Sequence, residues 1–272
     1  MTTVAWIDGQ VRHGPAAVVA VTDPGLLHGI GVFETTRVHD GVPFAMTRHL
    51  QRLRRGAATV GIEVPWDDEA LREAASTAVR ATVAEVGGPL PHDTFLRLRL
   101  TVTGGGALVA TVAVADEWPT SAVAVTTDRP INERSPTAGV KVTSRIDGVL
   151  VLAEAHRLGA DEAIRSNTVG RLCEGTAANV FLVVDGVLCT PSLATGCLRG
   201  VTRELVCEAV EAVERDDLTF AELARASEVF LTSATRGVHP VGMLDGAPLV
   251  TGPVTMATAA AYDELVLASL DP

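Results

Sequence analysis

The chain reads as an α/β (α+β) protein of two domains, on three observations. Short runs of alternating apolar and polar residues recur along its length, and several meet at Asp-Gly pairs, which mark tight hairpins. Longer segments with apolar residues three and four apart stand between them and read as helices. A strand ends at Trp118-Pro119, and beyond it the polar stretch "TTDRPINERSPTAG" is the best linker candidate. At 272 residues the chain has room for two moderate cores. The expected division lies near 116–122, with a small N-terminal domain over 1–118 and a larger C-terminal domain over 119–272.

Taken in order, "TVAWIDGQV" alternates about Asp8-Gly9 and predicts a hairpin, and "GVFETTRVHDGVPFAM" repeats that grammar about Asp40-Gly41. "TRHLQRLRRGAATVGI" predicts a helix that Thr47 can cap, with Leu50, Leu53 and Ala57 on one face. "DEALREAASTAVRATVAEV" predicts a second helix, stopped by Gly87-Gly88 and Pro89. "TFLRLRLTVT" is a strand with Arg97 and Arg99 on one face, and "ALVATVAVADEWP" is another. The second half opens with a strand through Lys141, then the helix "GVLVLAEAHRLGA". "EAIRSN", a turn at 167–170, "RLCEGTAANVFLVV", Asp185-Gly186 and "VLCTP" read as an antiparallel meander. "GVTRELVCEAVEAV" is a helix with Thr202 at or near its N-cap. "ASEVFLTSATRGVHPVGMLDG" gives a strand, a polar loop and a strand.

Composition narrows the possible functions. The chain is 47% hydrophobic and 20% charged, as soluble globular proteins are. A formal charge of −11 argues against a nucleic-acid partner and against an anionic membrane surface, though not against a local basic pocket. No apolar run approaches the ~20 residues of a membrane span, and "MTTVAWIDGQ" lacks the basic start of an export signal. Cys173, Cys189, Cys197 and Cys207 show no paired spacing, and the histidines are scattered. The expectation is a cytoplasmic protein with reduced thiols and no metal site.

One residue stands out. Of 22 lysines and arginines, the only lysine is Lys141. Arginine replaces lysine on a solvated surface, but a guanidinium does not lose its proton and cannot act as an amine nucleophile. A single retained lysine is either an accident of codon usage or a position where an amine is required.

The neighbours decide between these. Lys141 comes first, followed by Glu174 in "RLCEGTAANVF", a small-residue turn "GCLRGVTREL" and a Ser/Thr-rich loop "FLTSATRGVHPV". With "GVFETTRV" and "RHLQRL" upstream, this order resembles the class IV (fold type IV) pyridoxal-phosphate aminotransferases from Trp6 to about Asp245. That family includes D-amino-acid, R-amine and branched-chain aminotransferases and aminodeoxychorismate lyase. The resemblance implies pyridoxal 5′-phosphate as cofactor, held between the two domains of a cytoplasmic homodimer with a shared site. Lys141 matches the lysine that forms the Schiff base and shuttles protons. Glu174 matches the carboxylate that keeps the pyridine nitrogen protonated. Val201 and Thr202 match the turn whose amides hold the phosphate, with Arg52 as counter-charge and Leu198 against the ring. Ala234 and Thr235 match the loop that receives the substrate carboxylate, Thr235 also lying at the cofactor side, and Phe33 and Arg37 match pocket positions.

There are departures from the family pattern. Relatives often carry a tyrosine shortly after the lysine. Here Arg145 stands in that region, as in some lyase-type members, and is expected to donate to the cofactor O3′; the single tyrosine is Tyr262. The arginine that precedes a strand-ending glycine in D-amino-acid enzymes is replaced by Thr103 before Gly104. The I-R-P-type strand of branched-chain enzymes is also missing. The expected reaction moves an amino group from a D-amino acid, with R-amines as further donors, to a 2-oxo acid. The alternatives are pyruvate elimination by an aminodeoxychorismate lyase and transamination of branched-chain L-amino acids.

Overall fold

A computed structural model describes residues 4–272. Residues 1–3, which open the stretch read as lacking an export signal and start the first hairpin reading, lie outside the described residues. The chain groups into two compact units, Met1–Glu117 with Val140–Ser144 and Ser269–Pro272, and Trp118–Gly139 with Arg145–Ala268. The expected division into 1–118 and 119–272 has one crossing, whereas this grouping has four. The extra ones arise because the segment at Lys141 bonds to a strand of the first unit and the C-terminus bonds to one of its helices.

The first unit is a six-stranded antiparallel sheet with helices on one face. Its strands are β1 (Val4–Ile7), β2 (Gln10–His13), β3 (Gly31–His39), β4 (Val42–Pro43), β5 (Thr94–Thr103) and β6 (Leu108–Asp116), in the order β2-β1-β6-β5-β3-β4. The β3–β4 turn needs left-handed backbone at both central residues, and Asp40 and Gly41 supply it at φ 49° and 81°. Alternation then puts Val32, Val38, Leu96, Leu98, Leu100 and Val102 on the face covered by α2 (Met46–Thr59) and α3 (Asp68–Val86). Leu50, Leu53 and Ala57 of α2 enter that core as predicted. The short α1 (Pro24–Leu27) precedes β3.

Two local expectations are corrected here. Thr47 does not cap α2. The N-cap is Ala45, in left-handed backbone at φ 52°, and Thr47 donates from its backbone N–H and its hydroxyl to Asp271. The stretch through Lys141 is not a strand. It makes a single antiparallel bridge, Val142 to Val32, flanked by Phe33 N–H donating to the Lys141 carbonyl at 3.0 Å and Thr143 N–H to the Gly31 carbonyl at 2.9 Å.

The second unit is a nine-stranded mixed sheet. Its strands are β7 (Ala122–Ile131), β8 (Glu162–Asn167), β9 (Leu172–Gly175), β10 (Asn179–Val184), β11 (Val187–Pro191), β12 (Val213–Arg215), β13 (Glu228–Ser233), β14 (Gly237–Leu244) and β15 (Ala247–Pro248). The order is β12-β11-β10-β13-β14-β7-β8-β9, with β15 on β14. The helices are α4 (Ile146–Arg157), α5 (Val201–Ala209), α6 (Phe220–Ala224) and α7 (Pro253–Ala268). β7 and β8 are parallel, so they need a crossover, and α4 provides it. The linker reading of 126–139 fails in its first part, since β7 runs on to Ile131. Its polar residues are held there: Thr126 donates twice to Asp245, and Arg165 donates to the carbonyls of Arg129 and Pro130.

The expected meander also breaks. β8–β9 and β10–β11 are hairpins, but β9 ends the sheet while β10 pairs with β13. Only 176–178 separate β9 from β10, so the sheet must curl until its β9 edge comes back toward β10. The Gly175 N–H donating to the Ala178 carbonyl at 2.8 Å closes that corner. Among the described residues, no helix is long and apolar enough to cross a membrane.

Candidate active site

In the first unit, Lys141 is half-buried beside the N-terminal half of β3. Its Nζ stands 4.7 Å from the centroid of the buried Phe33 ring, and the Arg99 guanidinium lies 3.7 Å over the same ring. Phe33 and Arg37 share a face of β3 by alternation, but their surroundings differ. Arg37 is paired with Glu117, one nitrogen at 3.0 Å, and lies over Phe95 at 4.3 Å. Thr103, where relatives place an arginine, donates to Asp23 at 2.6 Å and accepts from Ala107 N–H, so a buried carboxylate occupies that corner.

Arg52 is on the other face of the sheet, 8% exposed, and donates through two nitrogens to Glu34, at 2.8 and 2.5 Å. His49 Nδ1 meets the same carboxylate at 2.7 Å. Burial alone pushes the Glu34 carboxyl up, but the Arg52 charge and the bonds from Arg52 and His49 outweigh it and hold the group down to about 2. His49 shifts the other way from its partner's pull. Burial, with the Arg52 and Lys141 charges, outweighs Glu34 and lowers it, so the neutral ring donates from Nδ1. Its Nε2 is buried with no partner. Neither Glu34 nor His49 was picked out from sequence. The available signal was an acid on the apolar face of β3, between Val32 and Val38, which requires a buried cation.

In the second unit, Glu174 near the end of β9 accepts at Oε2 from Leu198 N–H at 2.9 Å and from Asn179 Nδ2 at 3.2 Å. Asn179 also donates to the Leu198 carbonyl at 2.9 Å. A side chain at Gly200 would have its Cβ 2.0 Å from Asn179 Oδ1, so only glycine fits there. The carboxylate and the turn before α5 are thus locked together. Val201 and Thr202 are the first two residues of α5, both buried, and no side chain caps that helix. Its first-turn N–H groups therefore suit an anion. Arg145 donates to the Thr176 carbonyl at 2.9 Å, and Ala234 and Thr235 sit half-buried in the loop between β13 and β14. Cys173 and Cys197 flank this region, and burial pushes both thiols up, Cys197 to about 12, which disfavours their thiolate forms.

The amino-transferase class IV family model matches residues 31–243, most of the chain. The chain belongs to the class IV aminotransferases. The enzyme is 28% identical to a branched-chain-amino-acid aminotransferase of Pseudomonas aeruginosa, over 97% of this chain and 92% of that one. It is equally 28% identical to a D-alanine aminotransferase of Listeria monocytogenes, over 87% and 86%. A pyridoxal-phosphate-bound aminotransferase from Mycobacterium tuberculosis superposes with a TM-score of 0.82 at 27% identity, covering 98% of this chain and 99% of that one. This aminotransferase therefore has the type IV fold and uses pyridoxal phosphate. The groups present suit that cofactor: one amine, a carboxylate fixed by two N–H donors, an uncapped helix start behind a glycine, and a buried arginine.

Proposed function

We propose that the enzyme transfers the amino group of a D-amino acid, with R-amines as further donors, to a 2-oxo acid, in the cytoplasm and as a homodimer. The observation that carries the reading is the only lysine of the chain, held by backbone bonds to β3 with its Nζ over Phe33. Bound pyridoxal phosphate supplies an aldehyde and an electron-accepting ring. Lys141 is the amine that anchors it and then moves a proton off the amino-bearing carbon of the donor. Glu174, aimed by Leu198 N–H and Asn179, would hold a proton at the pyridine nitrogen. The amides of Val201 and Thr202 bind the phosphate, Arg52 answers its charge, Leu198 packs on the ring and Arg145 serves O3′. The Ala234-Thr235 loop receives the substrate carboxylate, with Phe33 and Arg37 lining the pocket.

Support for the D-amino acid is the likeness to the Listeria enzyme and the lack of a tyrosine after Lys141; Tyr262 lies on α7 instead. The equal likeness to the Pseudomonas enzyme supports a second reading, branched-chain L-amino acids. A half-reaction separates them. Holoenzyme is mixed with D-alanine, L-leucine or R-phenylethylamine, and loss of the cofactor's visible absorbance is followed. Conversion by D-alanine and not by L-leucine is expected; the reverse gives the second reading. Pyruvate release from aminodeoxychorismate, with no half-reaction on any amine, assigns the lyase reaction. Lys141→Arg abolishes conversion, because a guanidinium cannot replace the amine.

A further inference from the structure

Glu162 opens β8 and is fully buried. Its Oε1 accepts from Thr176 N–H at 2.8 Å, from the Thr176 hydroxyl, and from Ala163 N–H at 3.1 Å. Its carboxylate lies over Gly175, where a Cβ would stand 3.0 Å from its Cγ and Cδ. One oxygen is thus fastened to the residues that directly follow Glu174. The other, Oε2, faces Arg236 at 3.3 Å, and the side chains of that pair are 0% and 3% exposed.

Arg236 belongs to the loop that carries Ala234 and Thr235, and its side chain is held from every side. Nη2 also donates to the Asp161 carbonyl at 3.2 Å, and the guanidinium lies 3.9 Å over the Trp118 ring. Nη1 meets His239 Nδ1 at 3.4 Å. His239 Nε2 is 2.8 Å from the Pro119 carbonyl, which can only accept, so Nε2 carries the hydrogen and Nδ1 is the acceptor for Arg236. Burial and the Arg236 charge lower His239, which keeps that tautomer neutral. The backbone is fixed as well, with Arg236 N–H donating to the Ser233 carbonyl and hydroxyl, both at 3.2 Å. Every donor and acceptor in this chain of contacts is matched in sign.

We propose that Glu162 and Arg236 are positioning residues that clamp the Ala234-Thr235 turn to the strand bearing Glu174, and so set the site for the substrate carboxylate. This rests on the reading of Ala234-Thr235 given above. Of the groups that hold Arg236, Glu162 carries the opposite charge, so removing one partner leaves the other charge buried and the turn held only by the neutral contacts to the Asp161 carbonyl, His239 and Trp118. Binding at a turn depends on its amides being held in place before the ligand arrives, so a loosened turn weakens carboxylate binding.

The test titrates holoenzyme with propionate, an unreactive carboxylate, following the cofactor's absorbance, and measures KM and kcat for the preferred donor. Glu162→Gln and Arg236→Met raise the propionate Kd and the donor KM about tenfold or more, with a much smaller change in kcat and cofactor affinity unaltered. Arg236→Lys keeps the charge toward Glu162 but not the separate Nη1 contact to His239, and recovers part of the affinity. If Glu162→Gln fails to fold, the two Arg236 variants carry the test. Unchanged propionate Kd and KM in the Arg236 variants overturn the clamp. Thr235→Pro, which removes an amide donor, separates the two readings. If it weakens propionate while the clamp variants do not, the clamp alone is wrong. If it has no effect, the carboxylate turn lies elsewhere and both fail.

Discussion

At the scale of the residue, the same side-chain type serves different ends according to what surrounds it. Arg37 and Arg52 read alike in the sequence, as arginines on an amphipathic strand and helix. In the fold Arg37 is a half-exposed partner of Glu117, whereas Arg52 is buried against Glu34. Glu34 and Glu174 differ in a parallel way: one carboxylate answers a guanidinium, the other is aimed by a backbone amide and Asn179. Glu174→Gln tests that distinction. Its amide oxygen still accepts from Leu198 N–H, so the fold and cofactor binding persist, but the charge proposed to face the pyridine nitrogen is gone. The single-turnover rate is expected to fall on the order of 100-fold or more with little change in thermal midpoint. Loss of folding in place of loss of rate assigns Glu174 a structural role.

At the scale of the element, the helices divide by where their caps come from. Asp67 caps α3 from the next position, and Thr219 with Glu222 forms a capping box on α6, both local and readable once a helix is suspected. For α2 the N-cap residue Ala45 offers no side-chain acceptor, and Asp271, 224 positions beyond Thr47, takes the Thr47 N–H at 2.8 Å and its hydroxyl at 2.7 Å while Arg72 donates to it at 2.9 Å. Asp271→Ala removes this cap and is expected to lower stability by about 1 kcal/mol in denaturant unfolding. The same substitution at Asp40, whose turn conformation matters more than its carboxylate, makes a useful contrast. For α7, which the sequence reading did not assign, the buried Glu228 of β13 takes Thr255 N–H at 2.7 Å and Val254 N–H at 3.3 Å. A Cβ at Gly252 would stand 2.3 Å from that carboxylate, so the approach depends on glycine.

At the scale of the whole molecule, the clearest consequence is the acid limit of stability. The folded chain holds Glu34 at about 2, below its ordinary value of 4.5. A carboxyl lowered on folding stabilises the native state above its unfolded pKa, and that contribution is lost as pH falls through the folded one. The window therefore runs from about 4.5 down to about 2, and the contribution is on the order of 3 kcal/mol. Unfolding free energy followed against pH should decline across that window, and Glu34→Gln should flatten the decline. The variant is also less stable at neutral pH, since the buried Arg52 guanidinium loses the charge of Glu34. A slope unchanged by Glu34→Gln places the acid sensitivity in another carboxylate.

The sequence by itself determined what depends on neighbours in the chain. The Asp-Gly turns, the apolar stripe of α2 and the strand alternation each act within a few residues, so they were legible. The order Lys141, Glu174, Val201-Thr202 and Ala234-Thr235 was legible as a resemblance to the family to which the chain belongs. What only the tertiary structure decided depends on residues brought together from far apart. Asp271 replaces Thr47 as the α2 cap, Glu34 and His49 hold Arg52, β9 parts from β10, and Glu162 reaches Arg236 across 74 positions. A buried charge must find its opposite wherever the fold places one. No local pattern in the chain says where that is.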